Sequence, residues 1–274
     1  MKTFSIVTGA SNGIGFEIAK RLAALSHDLI LVSRDPVKLE RASASIRQSY
    51  PKVEIHTLAL DLAVAGAAKR VLEFTEQLGV DVDVLINNAG VGVYGEHVDL
   101  DSDKVSQMLQ LNITSLTELC RSFGQQMKRR GAGHILNVAS TAAYQPTPFF
   151  AAYGASKAFV LNFSEALAKE LEDHGVTVSC VSPGPTDTAF FGDIDQHGIE
   201  NGHFEKSLRD SAAHVAAISL DSLFNGRLST IVGTKNYWRA WSARLAPRAL
   251  VASFAKGLMR PSGSAGSRAQ LPGQ

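Results

Sequence analysis

The sequence predicts an α/β protein: a single domain with a doubly wound, seven-stranded parallel sheet and helices on both faces. Three observations predict this fold. Short runs rich in Val, Ile and Leu alternate with longer segments of helical period. The runs are apolar almost throughout, as in strands that are covered on both faces. No internal repeat or linker divides the chain, so the β-α units are expected to wind into one sheet through right-handed crossovers.

The apolar runs predict the strands in chain order. They are residues 3–8 (TFSIVT), 28–33 (DLILVS), 53–58 (VEIHTL), 83–86 (DVLI), 133–139 (GHILNVA), 176–181 (VTVSCV) and 228–232 (LSTIV). The segments between them are amphipathic, such as GFEIAKRLAAL after the first strand. After the second strand, Asp35 is predicted to cap a helix whose first turn holds Pro36.

The domain organisation follows from this alternation. We expect one catalytic domain over residues 1–260, including a substrate loop at about 189–215 and a C-terminal helix at about 236–258. The last stretch, residues 261–274 (PSGSAGSRAQLPGQ), predicts a flexible tail.

Composition restricts the classes of function. The chain has 274 residues, 45% hydrophobic and 19% charged, and its net charge of +1 gives no indication of a nucleic-acid partner. Cys120 and Cys180 lie in a helical and a strand pattern, so we expect buried free thiols and a reducing compartment. With no signal-peptide pattern and no apolar run near about 18 residues, we expect a cytoplasmic protein. His197, His203 and His214 lack metal-ligand spacing, and we expect no metal.

A glycine-rich turn follows the first strand. The stretch TGASNGIG spaces three glycines G-x-x-x-G-x-G between a strand and an amphipathic helix. Such a turn lets the backbone approach a pyrophosphate and aims a helix N-terminus at it, so it predicts a Rossmann-type dinucleotide site. The predicted contacts of this turn are Gly9, Ser11, Asn12, Gly13, Ile14 and Gly15.

The end of the second strand indicates which dinucleotide binds. An acidic residue there favours the ribose 2′-hydroxyl of NAD, whereas an arginine favours the 2′-phosphate of NADP. The sequence has Ser33 and then Arg34, followed by Asp35, whose capping role is expected to point it elsewhere. We therefore expect NADP(H) rather than NAD(H), the alternative being that Arg34 is simply solvated.

Further motifs follow the later strands in a fixed order. They are DL at Asp61–Leu62, NNAG at residues 87–90, LNITS around Asn112, NVAS ending at Ser140, YGASK from Tyr153 to Lys157, and PGPTDT at residues 183–188. With the glycine turn, they resemble the classical short-chain dehydrogenase/reductase (SDR) family over about residues 3–190.

The resemblance implies NAD(P)-dependent hydride transfer between an alcohol and a carbonyl. It implies that Tyr153 is the general acid/base and that Lys157 lowers the tyrosine pKa and holds the nicotinamide ribose. Ser140 would polarise the carbonyl, and Asn112 would hold a proton-relaying water. The other implied cofactor contacts are Asp61, Leu62, Asn88, Ala89, Gly90, Pro183, Gly184, Thr186 and Thr188.

Tyr153 and Lys157 are four residues apart, so on a helix they share a face. We expect the small residues between them to leave room for cofactor and substrate. Three of the implied sites also have structural readings: Ser140 as a turn cap, Asn112 as a packing or helix-bending residue, and Asp61 as a helix cap.

The substrate is expected to be a small, largely apolar carbonyl or alcohol. Val93, Tyr94 and Phe190 are predicted to contact it, together with Ser140 and Tyr153. The leading interpretation is an NADPH-dependent carbonyl reductase. The alternatives are an NAD-preferring alcohol dehydrogenase, a non-enzymatic NADP-binding sensor, which would predict a damaged Ser-Tyr-Lys set, and an extended-type sugar epimerase, which would predict a longer substrate domain.

One amphipathic segment near the C-terminus bears on partners. The stretch NYWRAWSARLAPRAL places Trp238, Trp241 and Leu245 at helical spacing with arginines between them. Such a helix could lie on a membrane surface. We expect it instead to cover the core or to pack against a second subunit, and by family analogy we expect a homodimer or homotetramer.

Overall fold

The structure is a computed structural model that describes residues 2–188 and 209–260. Its main sheet has seven parallel strands in the order β3-β2-β1-β4-β5-β6-β9, and β7 pairs only with β8. The predicted seven-stranded parallel sheet is therefore confirmed. The strands are β1 (Thr3–Thr8), β2 (Asp28–Ser33), β3 (Ile55–Ala59), β4 (Asp81–Asn87), β5 (Gly133–Val138), β6 (Val176–Ser182), β7 (Thr186–Asp187), β8 (Asp210–Ser211) and β9 (Ser229–Ile231).

The helices lie between the strands of this sheet and after it. A π-helical segment, Gln110–Ser115, joins α4 to α5, and 3-10 turns lie at His97–Asp99, Thr141–Tyr144 and Glu172–His174. The helices of the described residues are α1 (Gly13–Ala24), α2 (Pro36–Ser49), α3 (Ala67–Leu78), α4 (Ser102–Leu109), α5 (Leu116–Arg130), α6 (Ala151–Leu171), α7 (Ala212–Phe224), α8 (Thr234–Leu245) and α9 (Arg248–Leu258).

Two apolar layers cover the two faces of the sheet. Along β2, Ile30 and Val32 pack in the layer that contains α3, α5 and α6. Leu29 and Leu31 pack in the layer that contains α1, α2 and α7. All four side chains are fully buried, and each contributes about 1.5–3 kcal/mol of hydrophobic stabilisation. Burial on both faces explains why the strands appear in the sequence as continuous apolar runs.

Asp35 caps α2 as predicted. Its Oδ1 accepts hydrogen bonds from the backbone N–H groups of Val37 and Lys38, each at 3.0 Å, and Pro36 occupies the first turn. Cys120 and Cys180 are buried free thiols, also as predicted. Within the described ranges, no helix has the length and apolar character needed to cross a bilayer.

Two predicted boundaries differ from the structure. In place of one C-terminal helix at about 236–258 there are two, because Pro247 lacks an N–H and disfavours helical backbone at Ala246. The predicted substrate loop ends earlier than residue 215: β8 begins at Asp210, and Ser211 caps α7 by accepting a hydrogen bond from the backbone N–H of His214 at 3.2 Å. Most of that loop, including Phe190, His197 and His203, and the predicted tail lie outside the described residues.

Candidate active site

A cavity of about 490 Å³ opens at the carboxyl ends of β1, β4, β5 and β6. Its walls are the glycine turn after β1, the segments that follow β4, β5 and β6, the start of α6, and parts of α8 and α9. Ligands of open α/β sheets bind at this edge, and the volume lies in the range of cofactor and small-molecule sites.

The glycine turn forms a backbone cradle at one end of the cavity. Gly9 and Gly13 have φ of +66° and +57°, a conformation that favours glycine. A Cβ on Gly9 would lie 2.8 Å from Asn88 Nδ2, and one on Gly13 would lie 3.0 Å from Thr188 Cγ2. Gly15 packs beneath the turn, against Gly9 and Asn88. This close backbone packing fits a dinucleotide pyrophosphate. Of the predicted turn contacts, the cavity is lined by Gly9, Ser11, Asn12, Gly13 and Ile14.

Thr8 and Asn88 fix the turn to the segment after β4. The Thr8 hydroxyl donates to the Ile86 carbonyl at 3.1 Å and accepts from the backbone N–H groups of Asn88 and Ala89, each at 3.0 Å. Asn88 Nδ2 donates to the Thr8 carbonyl at 2.9 Å. Asn88, Ala89 and Gly90 line the cavity as expected, but the amide of Asn88 holds the protein's own backbone. The structural role of Thr8 was missed, although its hydroxyl at the end of an apolar strand was a signal for it.

The end of β2 presents a cation and no free carboxylate. Arg34 is exposed and lines the cavity, and Ser33 donates a hydrogen bond to the Ser11 hydroxyl at 2.9 Å. The nearby Asp35 is committed to capping α2, and the hydrogen bond from the backbone N–H of Lys38 is the main cause that lowers the pKa of its carboxyl. The capping role expected of Asp35 is therefore confirmed, and its pointing away from a dinucleotide stays a prediction.

Asp61 and Leu62 do not line the cavity. Asp61 Oδ1 accepts a hydrogen bond from the backbone N–H of Ala63 at 2.9 Å and closes a turn, but α3 begins only at Ala67, after Gly66, so the helix-cap reading of Asp61 is wrong. Leu62 is 5% exposed and belongs to the core layer. The Leu62 carbonyl accepts a hydrogen bond from Ser115 at 2.5 Å. Their predicted contact with the adenine stays a prediction.

Tyr153 and Ser140 meet in the middle of the cavity. Both line it, and a side-chain hydrogen bond joins them. Ser140 is the first residue of the turn after β5, where its Oγ accepts from the backbone N–H of Ala142 at 3.2 Å, so its capping reading is confirmed and its catalytic role stays a prediction. Burial raises the pKa of Tyr153 to about 12, and the hydrogen bond with Ser140 opposes that shift. At neutral pH the phenol is therefore protonated.

Lys157 lies one helical turn from Tyr153. Its side chain is buried, and Nζ donates to the Val138 carbonyl at 2.9 Å and lies 5.9 Å from the centre of the Tyr153 ring. No carboxylate in the described part of the chain pairs with it. Burial therefore lowers the pKa of the ammonium to about 8. The predicted Tyr-Lys face is present, with the cation beside the phenol.

Asn112 lies in the π-helical segment and is fully buried. Its Oδ1 accepts from the backbone N–H of Val91 at 3.1 Å, and its Nδ2 donates to the Val91 carbonyl at 2.9 Å and to Ser156 Oγ at 3.1 Å. Both amide hydrogens are thus used within the protein. Asn112 ties the segment after β4 to α6 next to Lys157, which makes it a positioning residue; its holding of a water stays a prediction.

Small side chains are needed between Tyr153 and Lys157, but for a different reason than we expected from the sequence. A Cβ on Gly154 would clash with Thr147, whose own Cβ would be 3.1 Å away. Ser156 Oγ donates to the Tyr153 carbonyl at 2.7 Å and accepts from Asn112. Gly154 and Ser156 are buried against other parts of the protein, so their size serves internal packing rather than the approach of cofactor or substrate.

The segment after β6 forms another wall of the cavity and contacts the glycine turn through Thr188. The cavity is lined by all four predicted residues, Pro183, Gly184, Thr186 and Thr188. Thr186 Oγ1 donates to the Gly184 carbonyl at 3.0 Å. Asn236, from α8, packs on Gly184 and donates to the Val232 carbonyl at 2.8 Å. The start of α8 is thereby fixed against this wall.

The substrate end of the cavity differs from the prediction. Val93 and Tyr94 do not line it. Tyr94 lies one layer behind, where its hydroxyl donates to the Met259 carbonyl at 2.7 Å and its ring centre lies 4.9 Å from that of Phe150. The lining there is formed instead by Phe150, Ala255, Leu258 and Met259. Sequence reasoning missed this wall because nothing in the sequence indicates where α9 folds back.

The charged side chains that line the cavity are of one sign. Among the residues that the structure describes, the charged side chains that line it are Arg34, Lys157 and Arg239, and no acidic side chain does so. Over residues 2–188 and 209–260, no three His, Cys, Asp or Glu side chains are grouped so that they could hold a metal ion.

Comparison with known proteins agrees with this geometry. A family model described as short chain dehydrogenase matches residues 3–198. A very-long-chain 3-oxoacyl-CoA reductase from Pyrenophora tritici-repentis is 38% identical over 195 residues, 68% of this chain and 56% of that protein. The chain thus spans little more than half the length of this relative.

Solved structures share the fold over most of the chain. A short-chain dehydrogenase from Sphingobium yanoikuyae in complex with NADPH matches with a TM-score of 0.76 at 30% identity, covering 89% of this chain and 94% of that one. A 7β-hydroxysteroid dehydrogenase matches with a TM-score of 0.83 at 24% identity, covering 92% and 96% of the two chains.

Proposed function

Because this chain belongs to the short-chain dehydrogenase family, we propose that it is an NADPH-dependent oxidoreductase that interconverts a carbonyl and a secondary alcohol, with Tyr153 as general acid/base. The main support is the arrangement of Tyr153, hydrogen-bonded to Ser140, with the buried ammonium of Lys157 behind it. An intact set of this kind disfavours a non-enzymatic sensor on the same fold.

The protein groups handle the substrate oxygen and its proton. The bound nicotinamide would supply the hydride in reduction. Ser140 donates a hydrogen bond to the carbonyl oxygen and polarises it. Tyr153, protonated at neutral pH because its pKa is about 12, then transfers its proton to that oxygen. Lys157 stabilises the resulting phenolate by its charge.

Donating a proton and accepting one make different demands on Tyr153. Oxidation needs Tyr153 as a phenolate, and lowering its pKa from about 12 to about 7 requires about 7 kcal/mol. The Lys157 ammonium, 5.9 Å from the ring centre, contributes about 3 kcal/mol at an effective dielectric constant of about 20. The rest of the stabilisation of the phenolate has to come from other charges in the site when the nucleotide is bound. Donation of the proton by the neutral phenol needs no such stabilisation.

NADPH is proposed over NADH because of Arg34. Its guanidinium lines the cavity beside the glycine turn, and the neighbouring carboxylate of Asp35 is committed to capping. A guanidinium can bind a 2′-phosphate in two parallel hydrogen bonds. A carboxylate that caps a helix is not available to accept a hydrogen bond from a 2′-hydroxyl. The Sphingobium yanoikuyae relative in complex with NADPH supports the same choice.

The substrate is proposed to be an apolar carbonyl compound. Phe150, Leu258 and Met259 line the end of the cavity next to Tyr153. A 3-oxoacyl thioester is one candidate class, because a relative carries the name 3-oxoacyl-CoA reductase. The buried free thiols of Cys120 and Cys180 support a reducing compartment such as the cytoplasm, and homo-oligomerisation is proposed by analogy alone.

Coenzyme consumption across a panel of ketones, aldehydes, steroids and 3-oxoacyl thioesters tests this proposal. We expect turnover of apolar carbonyls with NADPH, with kcat/KM for NADPH at least about tenfold above that for NADH. A preference for NADH would overturn the coenzyme assignment. NADPH binding in a titration without turnover of any class would overturn the enzymatic assignment and favour the sensor.

A further inference from the structure

Helix α8 exposes a stripe of large apolar side chains. Trp238, Trp241 and Leu245 are 68%, 47% and 73% exposed. Their i, i+3, i+7 spacing places them on one helix face, whereas Ala240, 5% exposed, points to the interior. The helix therefore covers the core with its small residues and leaves its tryptophans on the outside.

Helix α9 begins after a two-residue turn and exposes large apolar side chains of its own. Leu250 and Phe254 are 65% and 71% exposed, and their i, i+4 spacing places them on one face. The next residue, Ala255, is 3% exposed and lines the cavity. We call the five exposed side chains of the two helices the outer face. Single exposed apolar residues are ordinary, but five on two successive helices mark an interaction surface.

The charge of the same two helices is entirely positive. Residues 222–274 contain no Asp or Glu. Exposed basic residues of α8, α9 and their ends that do not line the cavity are Lys235, Arg248, Lys256 and Arg260. Tryptophan, leucine and phenylalanine on one side of a helix, with lysine and arginine around them, are typical of helices that lie in the interface of an anionic bilayer.

The inner side of these helices is part of the cavity wall. Arg239 and Ala240 of α8, and Ala255 and Leu258 of α9, line it. The two helices that carry the outer face therefore also form part of the cavity wall.

We propose that the outer face docks on an anionic lipid bilayer and that the cavity takes a lipophilic carbonyl substrate from that surface. The docking stands on exposure and charge alone; the substrate part rests on the proposed reductase function. A second copy of this chain is the less favourable occupant, because a symmetric contact through this face would oppose two sets of basic residues. Anionic headgroups complement them. The proposal departs from the sequence-based expectation that this segment covers the core or packs against a second subunit, which stays a prediction.

Vesicle flotation of the full chain tests the docking. We expect it to float with phosphatidylcholine vesicles that contain phosphatidylglycerol, and to stay in solution with phosphatidylcholine alone. Raising the salt to about 1 M should weaken binding strongly, since the Debye length falls to about 3 Å. The double variant Trp238→Ser, Phe254→Ser should lose at least about tenfold in vesicle affinity. The matched control, Leu25→Ser with Val98→Ser, removes apolar side chains that are 58% and 87% exposed elsewhere and should bind as the unaltered chain does.

Three results would overturn the docking: no binding to anionic vesicles, equal binding by the Trp238→Ser, Phe254→Ser variant, or conversion of a dimer to a monomer by that variant in sedimentation. Flotation needs no turnover, so its failure is distinct from failure of the reductase assignment.

For the substrate part, anionic vesicles should raise turnover of a long-chain ketone and leave that of a water-soluble ketone unchanged. The variant should abolish only this increase; an increase that persists in it would overturn the substrate part.

Discussion

Replacing Lys157 by Met should stabilise the protein in the absence of nucleotide. The folded state holds this ammonium in a buried position, which lowers its pKa from 10.5 to about 8. A shift of that size corresponds to a cost of about 3 kcal/mol at neutral pH, where both the folded and the unfolded chain carry the charge. Methionine fills a similar volume without charge, but it leaves the Val138 carbonyl without its donor at a cost of about 1 kcal/mol. The net expectation is a gain of about 2 kcal/mol, or about 4–8 °C in Tm.

The pH dependence of the free energy of unfolding shows whether the buried charge of Lys157 causes this difference in stability. Between pH 8 and 10.5 the unfolded chain binds more of this proton than the folded chain, so the stability of the unaltered protein rises with pH. The variant lacks that rise, and its advantage should vanish near pH 10. Urea unfolding followed by circular dichroism at pH 7 and near pH 10, at one protein concentration, measures both. As a control, Lys69→Met removes a lysine that is 79% exposed and should change stability little. A Lys157→Met protein that is less stable at pH 7, or an advantage that does not change with pH, would refute the reasoning.

Three further substitutions test separate parts of the site. Arg34→Ala should lower kcat/KM for NADPH by about 10–100-fold and leave kcat/KM for NADH unchanged. The control variant Lys38→Ala should change neither value. Equal losses with both coenzymes in Arg34→Ala would count against the contact of Arg34 with the 2′-phosphate. Asn112→Ala should lower kcat by about tenfold or more with little change in the Kd for NADPH, because it loosens α6 beside Lys157; a loss confined to NADPH binding would contradict the positioning role. Gly154→Ala should destabilise the fold by about 1–3 kcal/mol in thermal unfolding, because the new Cβ meets Thr147. Adding Thr147→Ala to this variant should restore part of the lost stability, and a double variant with no recovery would contradict the contact between the two residues.

The sheet could be predicted because its central strands are buried on both faces. Leu29 to Val32 form an unbroken apolar run, and the same burial holds them in the centre of the structure. Asp35 before Pro36 was equally informative, since capping depends on neighbours in sequence. Tyr153 and Lys157 could be paired because the helical repeat alone brings them to one face.

The remaining features depend on contacts between distant segments. Tyr94 was expected at the substrate, but it binds the Met259 carbonyl, and no local pattern relates residues so far apart. Gly154 was expected to make room for ligands, yet its partner is Thr147, on a loop whose path sequence does not determine. The amide of Asn112 is likewise used by Val91 and Ser156. Local signals predicted the groups that we propose to be catalytic, and only tertiary structure identifies what positions them.

The most direct test of the proposed chemistry is the Tyr153→Phe enzyme. It keeps the ring and removes only the hydroxyl whose proton we assign to the substrate oxygen. We expect NADPH to bind with nearly unchanged affinity, while NADPH consumption with the best ketone of the panel falls by at least about a hundredfold. Turnover within a few-fold of the unaltered enzyme, with NADPH still bound, would show that another group delivers the proton.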